Sequence, residues 1–127
     1  MNNLYIPATS ATPEISFQFD THQLSLRGES YPENATAFYG PVVDAVRTYL
    51  TGLNGATITL DVQLAYFNSS STKILLELFD TFNQAAVAGN YVTLNWHHDP
   101  DDDTILEFGQ EIADDCPSLT IQTLELA

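Results

Sequence analysis

The 127 residues carry 17 acidic side chains against three basic ones, Arg27, Arg47 and Lys73, for a formal charge of −14. Such a surface repels nucleic acid and anionic lipid and attracts a protein with a basic face, although acidity also serves solubility alone. Hydrophobic residues make up 44% of the chain, no run nears the ~20 apolar residues that span a bilayer, and a chain of this length buries roughly two-thirds of its unfolded surface unaided, so residues 1–127 are expected to form one domain.

Residues 1–13 contain Pro7 and Pro13 and no sustained period, which predicts an irregular arm with a short strand at Leu4 to Ile6. Met1 to Glu14 lack the basic region and apolar core of a signal peptide, and a cytoplasmic protein is expected. Ile15, Phe17 and Phe19 alternate with polar residues, as do Leu24 and Leu26 after the turn at Asp20-Thr21-His22, giving an antiparallel hairpin. In Gly28-Glu29-Ser30-Tyr31-Pro32-Glu33-Asn34, Ser30 and Glu33 have capping-box spacing, with Asn34 as the rival cap. A helix to about Leu50 follows, with Val42, Val46, Tyr49, Leu50 and Leu53 inward and Pro41 as a kink or a fresh start.

Ile58, Leu60, Val62, Leu64 and Tyr66 alternate with polar partners in the clearest strand. Ile74, Leu75, Leu78, Phe79, Phe82 and Ala86 then recur at helical spacing. Between them lies Asn68-Ser69-Ser70-Ser71-Thr72-Lys73, a run of hydroxyls at a helix N-terminus, where an anion is stabilised. Helix capping alone accounts for these residues; so does a phosphorylation site, with Lys73, the only lysine, beside the added charge. Val92, Leu94 and Trp96 give a further strand, Thr104 to Asp115 a last helix with Ile105, Phe108 and Ile112 inward, and Leu119 to Leu124 a last strand. Lone Cys116 allows no internal disulfide, fits a reducing compartment and reads as a small buried side chain.

The loop from His97 to Asp103 offers a competing reading, a small metal-binding protein or metal-dependent enzyme. Asp99, Asp101 and Asp103 copy the opening of a calcium-binding loop, but Thr104 stands where glycine is required and Gln110 where the bidentate glutamate belongs. His97 and His98, adjacent on a strand, point to opposite faces. An acidic loop capping the last helix is the better reading, with no metal site, no cofactor and no catalytic motif.

The order β-β-α-β-α-β-α-β, with the four best-defined strands apolar on one face only, predicts a two-layer α/β domain. A mixed five-stranded sheet carries three main helices on one face and leaves the other open, a layout analogous to STAS-type domains.

The pieces Ile6-Pro7 with Thr9 and Thr12-Pro13, Gly28 to Asn34, Tyr66-Phe67-Asn68-Ser69-Ser70-Ser71 and Trp96-His97-His98 together resemble the SiaC family of bacterial regulatory phosphoproteins. The resemblance implies a STAS-like, non-enzymatic protein phosphorylated by a dedicated serine/threonine kinase and dephosphorylated by a PP2C-type phosphatase. Its unphosphorylated form would bind a GGDEF diguanylate cyclase and raise cyclic di-GMP output, which governs biofilm formation. Carried over by residue, the phosphoacceptor falls on Ser69, where the family often has threonine; Ser70, Ser71 and Thr72 are close rivals. Asn68 would shape the cap. Tyr31, Pro32, Glu33 and Asn34, with Asn68, Ser70 and Lys73, are the expected partner-binding residues.

Overall fold

The protein is described by a computed structural model covering residues 2–127. Six strands form one sheet: β1 (Leu4–Ile6), β2 (Glu14–Gln18), β3 (Gln23–Ser30), β4 (Thr57–Phe67), β5 (Tyr91–His98) and β6 (Thr120–Glu125). The helices are α1 (Ala35–Leu50), α2 (Ser69–Val87) and α3 (Asp103–Asp115). Strand order in space equals order in the chain. The β1–β2 and β2–β3 pairs are antiparallel, and the pairs from β3 to β6 are parallel. The sheet is thus mixed, as expected, but has six strands rather than five. The extra one is the arm's Leu4–Ile6, whose register on Ile15–Phe17 turns Leu4 and Ile6 onto the core.

One face of the sheet carries Ile15, Phe17, Leu24, Leu26, Ile58, Leu60, Val62, Leu94 and Trp96, all essentially inaccessible. All three helices meet that face: Tyr49 of α1 stacks on Phe19, and Phe79 of α2 and Phe108 of α3 pack on Trp96. Gly109 of α3 lies so close to Trp96 that a Cβ there would sit 2.5 Å from its ring. Across the opposite face run two rows that are polar up to the β6 edge, Ser16–Ser25–Asp61–Asn95–Gln122 and Glu14–Arg27–Gln63–His97, the second ending on exposed Leu124. No helix among the described residues is long and apolar enough to cross a membrane.

Helix α1 runs continuously through Pro41, which lies on its exposed side, so Pro41 opens no second segment. Two further expectations are corrected. Ser30 is not the α1 cap: it ends β3, fully buried, with its carbonyl taking the Asn68 amide at 2.9 Å. Asn34 caps instead, its side chain accepting the Ala37 amide at 3.1 Å. Finally, Tyr66 leaves the core stripe. Gly28 pairs with Leu64 but Glu29 with Tyr66, so Ala65 is an extra residue on β4 and alternation inverts beyond it. Tyr66 is half exposed while Phe67 turns inward onto Phe108.

Candidate functional site

The parallel strands β3, β4 and β5 end at one rim, where the helix N-termini gather. There Asn68 adopts an extended cap conformation, and its side-chain oxygen accepts the Ser71 amide at 2.9 Å. Thr72 Oγ1 turns back to the Asn68 carbonyl at 3.1 Å. Helix α2 therefore begins at Ser69, and the four hydroxyl residues have distinct surroundings. Ser69 and Ser70 are exposed, Thr72 is half-buried and bonded to the backbone, and Ser71 is fully buried.

Ser71 belongs to an interior chain of hydroxyls. Its Oγ donates to the Ser30 carbonyl (3.1 Å), and Ser30 Oγ donates to Ser71 Oγ (2.8 Å). That leaves the Tyr39 hydroxyl to donate to Ser30 Oγ at 2.6 Å. Each of the three protons has one acceptor, so this buried polar group is satisfied. Burial pushes the Tyr39 phenol up to about 12, so it stays protonated and remains a donor. The chain ties β3, α1 and α2 together directly beneath Ser69.

On the outer side, Ser69, Ser70 and Lys73 share a hollow of about 430 Å³ with Glu33, Asn34, Ala35 and Thr36. Two of the expected partner-binding residues, Glu33 and Asn34, thus stand beside Ser69 although far from it in sequence. The start of α1 faces the start of α2, and neither first turn holds a carboxylate, whereas α3 has Asp103 there. Glu33, one residue before the Asn34 cap, is the one carboxylate lining the hollow. Arg27 is paired with Glu14 (3.3 Å) and Arg47 with Glu77 (3.0 Å); Lys73 has no ion-pair partner among the described residues.

Tyr31 and Pro32 separate. Pro32 is buried, while Tyr31 is 40% exposed and meets Tyr66 edge-on, ring centroids 5.8 Å apart. Its amide donates to the Ala11 carbonyl at 2.8 Å, joining the N-terminal arm to the rim. The Tyr31–Tyr66 pair was not visible in the sequence, because the bulge that exposes Tyr66 breaks the period from which its burial was read. Elsewhere, Asp102 caps α3 by accepting the Ile105 amide at 3.0 Å. His97 lies on the open face beside Asp61 (3.3 Å) and His98 on the buried face, and no three histidine, cysteine, aspartate or glutamate side chains among the described residues converge to hold a metal.

A two-layer domain that displays a capped, exposed hydroxyl over a sealed interior has the build of a regulatory protein. The SiaC family of regulatory phosphoproteins matches residues 6–126, and the chain belongs to that family. It is 35% identical, over 91% of both chains, to an uncharacterised protein of Pseudomonas aeruginosa strain UCBPP-PA14. The crystal structure of apo-SiaC from Pseudomonas aeruginosa superposes with a TM-score of 0.88 at 34% identity, covering 98% of this chain and 99% of that one. A crystal structure of the diguanylate cyclase SiaD in complex with its activator SiaC from the same organism gives 0.88 at 33% identity, covering 97% and 99%.

Proposed function

We propose that this protein is a cytoplasmic, non-enzymatic phospho-switch. A dedicated serine/threonine kinase phosphorylates Ser69, a PP2C-type phosphatase reverses the modification, and the unphosphorylated form binds and activates a GGDEF diguanylate cyclase, controlling cyclic di-GMP and biofilm formation. One observation carries the reading: Ser69 is exposed at the first position of α2, in a hollow shared with the start of α1 and with Lys73, which has no ion-pair partner among the described residues. Family membership and the complex of SiaC with SiaD support the partner class.

Phosphorylation adds about −1.5 to −2 charges and strong acceptor oxygens. At Ser69 that charge meets the amino ends of α1 and α2 and the Lys73 ammonium, with the Glu33 carboxylate opposing them. The docking surface changes sign locally, and a cyclase group that faced a neutral hydroxyl meets a hydrated dianion. Serine in place of threonine keeps the chemistry, since either hydroxyl is esterified alike. Ser71, sealed in the interior, is not open to a kinase; Ser70 is exposed one position on.

Incubation with the cognate kinase followed by mass spectrometry is expected to place one phosphate on Ser69 and none in Ser69→Ala. Ser69→Ala should bind the cyclase as wild type does, while Ser69→Asp should bind it weakly. Phosphate found only at other residues, or equal binding by both variants, sinks the proposal.

A further inference from the structure

The turn from α1 into β4 carries a pair of residues able to react with each other. Asn54 and Gly55 lie between the end of α1 and Thr57, and both are exposed. Glycine has no Cβ to shield its backbone nitrogen. Asparagine followed by glycine is therefore the pairing in which that nitrogen reaches the asparagine Cγ most readily. Gly55 has φ 74°, a left-handed conformation that side chains resist, so the fold itself keeps glycine there.

The same turn is held by the segment that enters β5. The Gly55 amide donates to the Gly89 carbonyl at 3.0 Å, and the Tyr91 amide to the Ala56 carbonyl at 2.8 Å. Asn90, only 6% exposed, reaches across: its Nδ2 donates to the Leu53 carbonyl at 3.0 Å, and its Oδ1 accepts the Ala56 amide at 3.0 Å. Asn54 Oδ1 lies over Gly89, 2.9 Å from where a Cβ on that glycine would stand. The attacking nitrogen is thus engaged as a donor, the residues on either side of the pair are pinned, and the Asn54 carboxamide rests against a neighbour.

We propose that Asn54 is a site of spontaneous deamidation and that the clasp from Gly89 to Tyr91 sets its rate. The Gly55 nitrogen, having given its proton to solvent base, bonds to Asn54 Cγ; the Cγ–Nδ2 bond breaks, and ammonia leaves with a proton from solvent. One water then opens the cyclic imide at either carbonyl. The products are aspartate or, with the chain rerouted through Cβ, isoaspartate; no oxidant or cofactor enters. With the clasp closed, the nitrogen would have to abandon the Gly89 carbonyl while Leu53 and Ala56 stay fixed, so reaction proceeds from locally opened molecules. Each event adds one negative charge. Isoaspartate also lengthens the backbone by one carbon between the two residues that Asn90 spans, so the clasp does not re-form as it was. The modification marks chains by the time they spend open at the amino ends of β4 and β5, opposite the Ser69 rim.

The test incubates the full chain, folded and unfolded in guanidinium chloride, in the same mildly alkaline buffer. Asn54 conversion is followed by peptide-mapping mass spectrometry, with isoaspartyl methyltransferase labelling of the rerouted product. Conversion at Asn54 is expected in both samples, slower in the folded chain by about tenfold or more, and the Gly55 amide should exchange with deuterium more slowly than in the unfolded chain by a similar factor. Asn90→Ala, shown to be folded by circular dichroism, should raise the folded rate severalfold; if that variant does not fold, the wild-type comparison of Asn54 conversion with Gly55 exchange decides alone. Equal rates in folded and unfolded chain, no conversion at Asn54 when unfolded, or an unchanged rate in folded Asn90→Ala overturns the proposal. Neither kinase nor cyclase is present, so the result is independent of Ser69.

Discussion

At the scale of single residues, three neighbouring serines show how little the residue type decides. Ser69 and Ser70 face solvent, whereas Ser71 is interior and completes the Ser30–Tyr39 hydroxyl chain. Ser71→Ala leaves Ser30 Oγ without its acceptor, so it is expected to destabilise by about 1–3 kcal/mol in urea unfolding; Ser70→Ala should stay within about 0.5 kcal/mol. The cluster itself was legible, since asparagine and serines before an apolar helix announce a cap. Which serine turned inward was not, because that depends on Ser30, 41 positions away in the chain. Titration adds a second expectation. Burial pushes the Cys116 thiol up from 9.0 to about 11, helped by nearby Asp80 and Asp115, and the Tyr39 phenol from 10.0 to about 12. Both groups are neutral when protonated, so the unfolded chain ionises first. Stability is fully present below pH 9.0 and is expected to fall as pH rises toward 12, measured as a declining urea midpoint.

At the scale of elements, hydrophobic period located the three helices and five of the six strands but misjudged where two of them turn. The capping-box spacing of Ser30 and Glu33 was genuine as a pattern, yet Ser30 was already committed to the β3–β4 ladder, which left the cap to Asn34. The period-two stripe of β4 held as far as Leu64 and then inverted at Ala65, a shift that single-strand periodicity cannot register. In the His97–Asp103 loop, adjacent His97 and His98 take opposite faces of the sheet, as strand alternation predicts, and Asp102 is occupied as the α3 cap. Gly109 gives the sharpest element-scale test. In Gly109→Ala the new methyl meets the ring of inaccessible Trp96, so α3 must lift from the sheet. A loss of about 1–3 kcal/mol is expected despite alanine's better helix propensity, with altered tryptophan fluorescence as the check.

At the scale of the whole molecule, a charge of −14 on 127 residues disfavours compaction through self-repulsion. Screening should relieve it: the thermal midpoint is expected to rise between about 10 mM and about 0.5 M sodium chloride, and a flat response would mean the charges are too dispersed to matter. The mixed α/β layering was legible because the best-defined strands are apolar on one side only; a short strand at Leu4 to Ile6 was expected in the arm, but three residues are too few to show that it joins the sheet. The agreement between spatial and chain order of the strands has its own consequence. A polypeptide leaving the ribosome amino end first finds the docking edge for each new strand already synthesised. The sheet can therefore be laid down by simple addition, with no strand wedged between two that have already married. Nascent chains arrested at increasing lengths and briefly exposed to protease should yield protected fragments that grow one strand at a time.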